Sequence, residues 1–412
     1  MTLPPLIRSF TSVAIVLLTS CLIRADDDPR WVVSDAIATA IEPIRPAKVY
    51  QDPEKRLRAI EWLRGVAASR AEETAIVTAL QALRKSPDGN LAHAAIVALG
   101  AREHREFIPE FFAEIEKFPD AVRAFFSLMP AKQIDPPVKQ IREALKCRNP
   151  EARRVAIDLM MWTRAMELRP AVEKLAVSDP SDSVREEAAT QGLGDMQLKE
   201  PKPAVDALLP LLSDPSIEVR VAAIKSLGRF KETRAVPGIR VTVTGGFKIL
   251  WEDRFKLVDT LASIGNEAAA DVLNEMLWLG YAHNYQLEEA LTKLGFASSG
   301  TAIWEAYLVN PIHSNPGSDA GPAGYLNALP VLEKCADIVV FRAIRLRAEQ
   351  TNERSEKYSL ERLSKKLAQR FPEAANEPIE TVTSSVPTAA PDRDGDGVPD
   401  RLDKFPDDPK QH

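Results

Sequence analysis

The densest chemistry in this chain lies near residue 400. Asp392, Asp394, Asp396, Asp400 and Asp403 place five carboxylates within twelve residues. Packed so closely, like charges repel one another unless a cation sits among them. Carboxylate and carbonyl oxygens are hard ligands, and they select calcium over zinc. The plainer reading is a solubilising acidic tail.

No other segment offers comparable chemistry. The five histidines (His93, His104, His283, His313 and His412) are scattered, and none is paired at metal-ligand spacing. The chain lacks a G-x-S-x-G elbow, a phosphate loop, an H-E-x-x-H pair and a dinucleotide fingerprint. Glu288 and Glu289 read as a solvated helix face, and Glu61, Trp62 and Trp162 as residues facing neighbouring helices. The expectation is therefore a protein that is not an enzyme. Of three cysteines, Cys147 and Cys335 stand far apart in unrelated contexts. They read as two buried thiols, with a disulfide open as the alternative in an oxidising compartment.

Residues 1–25 read as an export signal. Arg8 precedes an apolar run from Phe10 to Ile23, shorter than the ~20 residues a membrane-spanning helix needs. Two cleavage points compete. Leu18-Thr19-Ser20-Cys21 resembles a bacterial lipobox, with Cys21 the lipidated residue and 1–20 the signal. Cleavage after Ala25 would instead release a mature end at Asp26. Either way the expected location is the periplasm, the outer membrane as a lipoprotein, or the cell surface. A membrane would be touched only through a lipid on Cys21. Net charge is −6 over 412 residues, which gives no basic field of the kind nucleic-acid binders use.

The elements that must position any site come from a repeat. Asp214-Pro215-Ser216-Ile217-Glu218-Val219-Arg220, then Ala222-Ala223 and Leu227-Gly228, parallels Asp179-Pro180-Ser181-Asp182-Ser183-Val184-Arg185, then Ala188-Ala189 and Leu193-Gly194. An earlier copy starts at Asp52-Pro53 and reaches Arg58. Weaker copies start near Pro87, Pro119 and Pro150, and later units end at Ile264-Gly265 and Leu294-Gly295. Aspartate before proline suits a helix cap, proline the first helical position, and glycine after leucine a left-handed stop. Val219, Ala222, Ala223, Ser226, Leu227 and Phe230 share one helix face. The preceding helix carries Val205, Leu208, Leu209 and Leu212, and Pro210 should kink it. One such pair cannot bury its apolar face alone, but a stack can.

Two stretches break this pattern. Arg240 to Gly246 is β-branched and then glycine-rich, and reads as a turn or short extended piece. Asn310 to Gly324 has no helical period and reads as a long loop. Tyr325 to Phe371 reads as one or two long helices closing the array.

Over residues 50–300 these units resemble the HEAT-repeat family, in particular its short bilin-lyase-like form. The resemblance implies an all-α fold, a right-handed α-α superhelix, spanning 30–371 with a helical C-terminal cap. It implies that Asp and Arg six residues apart (Asp52/Arg58, Asp179/Arg185, Asp214/Arg220) form ladders between units. A Pro/Thr/Ser linker follows at 372–391, then a calcium segment at 392–409. Counted from Asp392, the EF-hand ligand positions fall on Asp394, Asp396, the Val398 carbonyl, Asp400 and Asp403, with Gly397 at the turn. The continuation to Phe405-Pro406 resembles a thrombospondin type 3 repeat. The function expected is an exported scaffold whose concave surface binds an unidentified protein, with Ca2+ in the tail. The alternatives are a cell-envelope structural tether and, by the bilin-lyase likeness, a lyase.

Overall fold

The computed structural model describes residues 32–41, 53–128, 137–194, 201–278, 284–309 and 328–378. Among them regular structure is helical, with no strand. Contacts divide the chain into two units, 1–140 and 141–412, where a single array from 30 to 371 was expected from the sequence. Pro137, immediately before Val138, has no backbone N–H to give to a helix.

In the first unit, α1 (Val33–Ile41) packs on α2 (Pro53–Gly65) and α3 (Arg70–Leu83). Then α4 (Gly89–Ala101) lies between α2 and α6 (Pro119–Ser127), and the short α5 (Ile108–Ala113) precedes α6. Ser69 and Glu72 form a capping box at the start of α3, each side chain satisfying a backbone N–H that the helix leaves open. The core is apolar and aromatic. Leu80, Leu91, Phe111 and Phe125 are fully buried, and the rings of Phe111 and Phe125 meet edge-on at 4.4 Å.

Helix α7 (Val138–Ala144) leads into the second unit, whose helices form two rows. One row is α8 (Pro150–Thr163), α10 (Asp182–Glu187, continuing as a wider turn to Gly192), α12 (Ile217–Arg229), α14 (Trp251–Ile264), α16 (Asn284–Leu294), α18 (Ala328–Cys335) and α20 (Arg354–Leu367). The other is α9 (Arg169–Ser178), α11 (Lys202–Leu208), α13 (Val236–Thr244), α15 (Glu267–Trp278), α17 (Ala297–Val309), α19 (Ile338–Gln350) and α21 (Pro372–Ala375). Each helix touches the next in its own row, except that α11 and α13 meet through the 3-10 turn Leu209–Ser213, and most also touch a neighbour in the other row. This is the two-layer stack of helix pairs that the repeat requires. Val219, Ala222, Ala223, Ser226 and Leu227 are all buried along α12. At Pro210 the helix tightens into a 3-10 turn, Leu209–Ser213.

Several local expectations need correcting. Pro119 and Pro150 do open helices, but Pro180 and Pro215 precede theirs, and the caps there are Ser181 and Ser216. Gly265 and Gly295 take the left-handed stop, whereas Gly100 and Gly228 lie inside α4 and α12. Glu103 and Lys231, three residues later, are the left-handed residues. The two glycines serve close approach instead. A Cβ on Gly100 would meet the Phe125 Cα at 2.8 Å, and one on Gly228 the Thr260 Cγ2 at 2.5 Å.

Arg240 to Thr244 is the end of α13, not a turn or extended piece. Ile239, Thr242 and Val243 are buried on one side, and that packing outweighs the β preference of their side chains. Tyr325 to Phe371 holds three helices, because Asp337 caps a new start at Ile338 and the chain turns again at Thr351. Helical structure also continues past Phe371 into the expected linker. There α21 packs on α19, Arg342 pairs with Glu377 at 2.5 Å, and Arg345 donates to the Ala374 and Glu377 carbonyls.

Candidate functional site

Many of the most conspicuous charges in the repeat are structural. Arg153 on α8 grips Asp179 through two bonds of 2.7 Å, and Arg185 on α10 grips Asp214 through two of 2.8 Å. Each aspartate also accepts from a backbone N–H two residues ahead, at Ser181 and Ser216, which shapes the turn before the next helix. Each arginine reaches back to a carbonyl six residues earlier, Cys147 for Arg153 and Asp179 for Arg185. The Asp179 and Asp214 side chains are almost fully buried. Burial alone would raise the Asp214 pKa, but bonds from Arg185 and the Ser216 N–H outweigh it and hold the carboxyl below its usual range.

The rung from Arg153 was not legible as an Asp/Arg pair, because Cys147 stands where the other units have aspartate. The spacing of six was its only trace. The ladder ends at Arg220, whose guanidinium lies 4.3 Å from the Phe247 ring centre; the next unit offers Phe247 and Lys248 there instead of aspartate.

A second set of charges runs along the row α8, α10, α12, α14 and α16. Arg154 bridges Glu151 and Glu187 at 2.8 and 3.2 Å. Lys225 reaches Asp253 on the next helix at 2.7 Å. Glu186 and Asp259 make no ion pair among the described residues. Glu186 is solvent-exposed yet crowded; burial and the neighbouring Glu187 raise its pKa. Burial and Glu289 do the same to Asp259. Arg154 and Lys225 offset part of that rise at Glu186, and Lys293 part of it at Asp259. Glu288, expected on a solvated face, is buried.

Two polar clusters remain. In the first unit, His104 lies between Glu73 and Glu106, its ring nitrogens 2.9 and 2.8 Å from their oxygens. Arg102 also bonds Glu73 and the carbonyls of Leu63 and Val66. In the second unit, Glu356 is 2% exposed. It accepts from Tyr307 at 3.0 Å, from Arg347 at 2.9 Å and from Thr351. Burial would raise its pKa, but these three donors bring it below the usual value.

The sequence-derived site residues fall as follows. Cys21 and the whole calcium set, Asp392, Asp394, Asp396, Val398, Asp400 and Asp403, lie outside the described residues, as do Asp52, His283, His313, His412 and the 310–324 loop. Cys147 is half-buried and Cys335 buried, and neither is in a disulfide. Glu61 is exposed and pairs with Arg64 on its own helix, contrary to the expectation that it faces a neighbour. His93 is half-buried, and burial lowers its pKa. Among the described residues no cluster of three or more His, Cys, Asp or Glu could hold a metal. None of their helices is long and apolar enough to cross a membrane.

Paired helices stacked in two rows and joined by an Arg–Asp ladder define an all-α repeat array. Residues 175–243 and 205–291 match the HEAT-repeat family, a span that holds the Arg185–Asp214 rung. The bilin-lyase form of that family is not singled out. Among solved structures, the crystal structure of an engineered protein from the Northeast Structural Genomics Consortium is 17% identical, with TM-score 0.44, covering 84% of this chain and 99% of that one. The crystal structure of Uso1-2 is 13% identical, with TM-score 0.34, covering 83% of this chain and 62% of that one. No curated protein matches this chain significantly.

Proposed function

We propose that this chain is an exported, non-catalytic interaction scaffold whose tail carries a weak structural calcium site. Repeat arrays expose long surfaces on which partner choice rests with the side chains, and their concave side is the usual one. The observation that carries the reading is the division of charge in the second unit. Arg153, Asp179, Arg185 and Asp214 are committed to the ladder, whereas Glu186 and Asp259 are exposed and form no ion pair among the described residues. A partner presenting lysine or arginine to this row would pair with these two carboxylates.

The test is affinity capture from an envelope extract by the wild-type protein and by a Glu186→Lys/Asp259→Lys variant. A discrete partner held by the first and released by the second supports the scaffold. Capture of bare membrane or wall alone would sink it and favour the tether.

In the tail, Asp392, Asp394, Asp396, Asp400, Asp403 and the Val398 carbonyl would hold calcium. Every donor is an oxygen, the set this ion prefers. The ion would order the segment and take no part in a reaction. The tethering reading rests on Leu18-Thr19-Ser20-Cys21. Mass spectrometry of the mature N-terminus decides it, by finding either a diacylated Cys21 or a free Asp26.

A further inference from the structure

Among the described residues helix α20 is the last of its row, and its exposed face carries one sign of charge in excess. Leu360, Leu363 and Leu367 are buried, and opposite them Arg354, Tyr358, Glu361, Arg362 and Lys365 follow one another at helical spacing. Tyr358 is 68% exposed in the middle of that stripe. Lys357 flanks it. Arg354, Lys357, Arg362 and Lys365 make no ion pair among the described residues, whereas the other cations nearby are engaged. Lys366 bonds Glu333, Arg370 bonds the carbonyls of Glu333 and Lys334, and Arg347 bonds Glu356. The end of an array must be polar to stay soluble, but solubility does not require four free cations against one carboxylate around an exposed ring.

The complement is in the same chain. Between Asp392 and Asp408 there are seven aspartates against Arg393, Arg401 and Lys404, an excess of four negative charges. The point of departure is fixed, since α21 and Glu377 are bound to α19, the helix paired with α20. About 13 residues separate Pro378 from Asp392, and such a chain reaches at most ~45 Å. Helix α20 is only ~21 Å long. A tether this short gives an effective concentration on the order of millimolar, so weak attraction suffices.

We propose that the acidic segment Asp392–Asp408 docks in cis on the basic, tyrosine-centred face of α20. The contact is electrostatic and needs no bound ion. Testing it with calcium chelated makes it independent of the calcium reading, and either idea can fail while the other stands.

The experiment is zero-length carbodiimide cross-linking of the full chain in low salt, read by peptide mass spectrometry. Equal parts of ordinary and nitrogen-15 protein are mixed beforehand. Amide links from Lys357 or Lys365 to an aspartate of 392–408, within single copies, are expected. Both lysines remain in an Arg354→Glu/Arg362→Glu variant, which should retain its helix content because both side chains are exposed. Link yield should fall at least about fivefold in that variant. It should fall comparably for wild type in about 0.5 M salt, where the Debye length drops to about 4 Å. Absence of such links, yields indifferent to charge reversal and salt, or links joining labelled to unlabelled copies would each overturn the proposal.

Discussion

At the residue scale, the ladder shows how a repeat turns charge into register. Asp214 accepts from a guanidinium on α10 and from the backbone that starts α12, so one carboxylate fixes both helices of the contact. Removing it leaves the half-buried Arg185 without its partner, a loss of charge-assisted hydrogen bonds that costs about 1.5–3 kcal/mol. Asp214→Ala is expected to lose about that much in urea unfolding at neutral pH. The pH dependence has a definite sign. A carboxyl held below its ordinary value of about 3.9 contributes stability above that pH and loses it as pH falls through the lower, folded value. The gap between wild type and Asp214→Ala should therefore be full near pH 6 and shrink below about pH 4. A gap that is constant from pH 6 to 3 would show that the carboxylate acts by shape alone. Glu356, with three donors around it, predicts a similar cost for Glu356→Leu, read as loss of cooperativity at the last helix pair.

At the element scale, packing overrode local preference in both directions. Arg240 to Thr244 is β-branched, yet helical, because Ile239, Thr242 and Val243 have a buried face to fill. Gly100 and Gly228, which looked like helix stops, permit neighbouring helices to approach. Gly100→Ala should be the more costly substitution, because its Cβ meets backbone at Phe125, whereas at Gly228 it meets the Thr260 side chain, which can turn aside. We expect losses of about 1–3 kcal/mol. Gly65, at the end of α2, has nothing within 4 Å of an added Cβ, so Gly65→Ala should be neutral or gain up to about 1 kcal/mol. Thermal unfolding of the three variants tests the ranking, and equal behaviour would mean that helix approach is not limiting.

At the scale of the whole molecule, the tail and the helical body should respond to different conditions. If Asp392–Asp403 binds calcium as proposed, titration calorimetry should give a dissociation constant on the order of 10⁻⁴–10⁻³ M. Asp396→Asn should weaken it strongly while helical circular dichroism stays unchanged. Heat of binding that survives Asp396→Asn would place the ion elsewhere.

What the sequence determined by itself was periodic. The helix pairs, their apolar faces, the kink at Pro210 and the ladder members Asp179, Arg185 and Asp214 all follow from spacing, because a repeated local pattern forces a repeated local structure. The tertiary structure decided whatever depends on a neighbour distant in sequence. It paired Arg153 with Asp179 although Cys147 stands where other units have aspartate, made α13 a helix, reassigned two glycines and buried Glu288. It also divided the chain after Gln140 and carried the helical body past Phe371. A one-dimensional pattern records what each residue prefers, whereas packing selects what its neighbours allow.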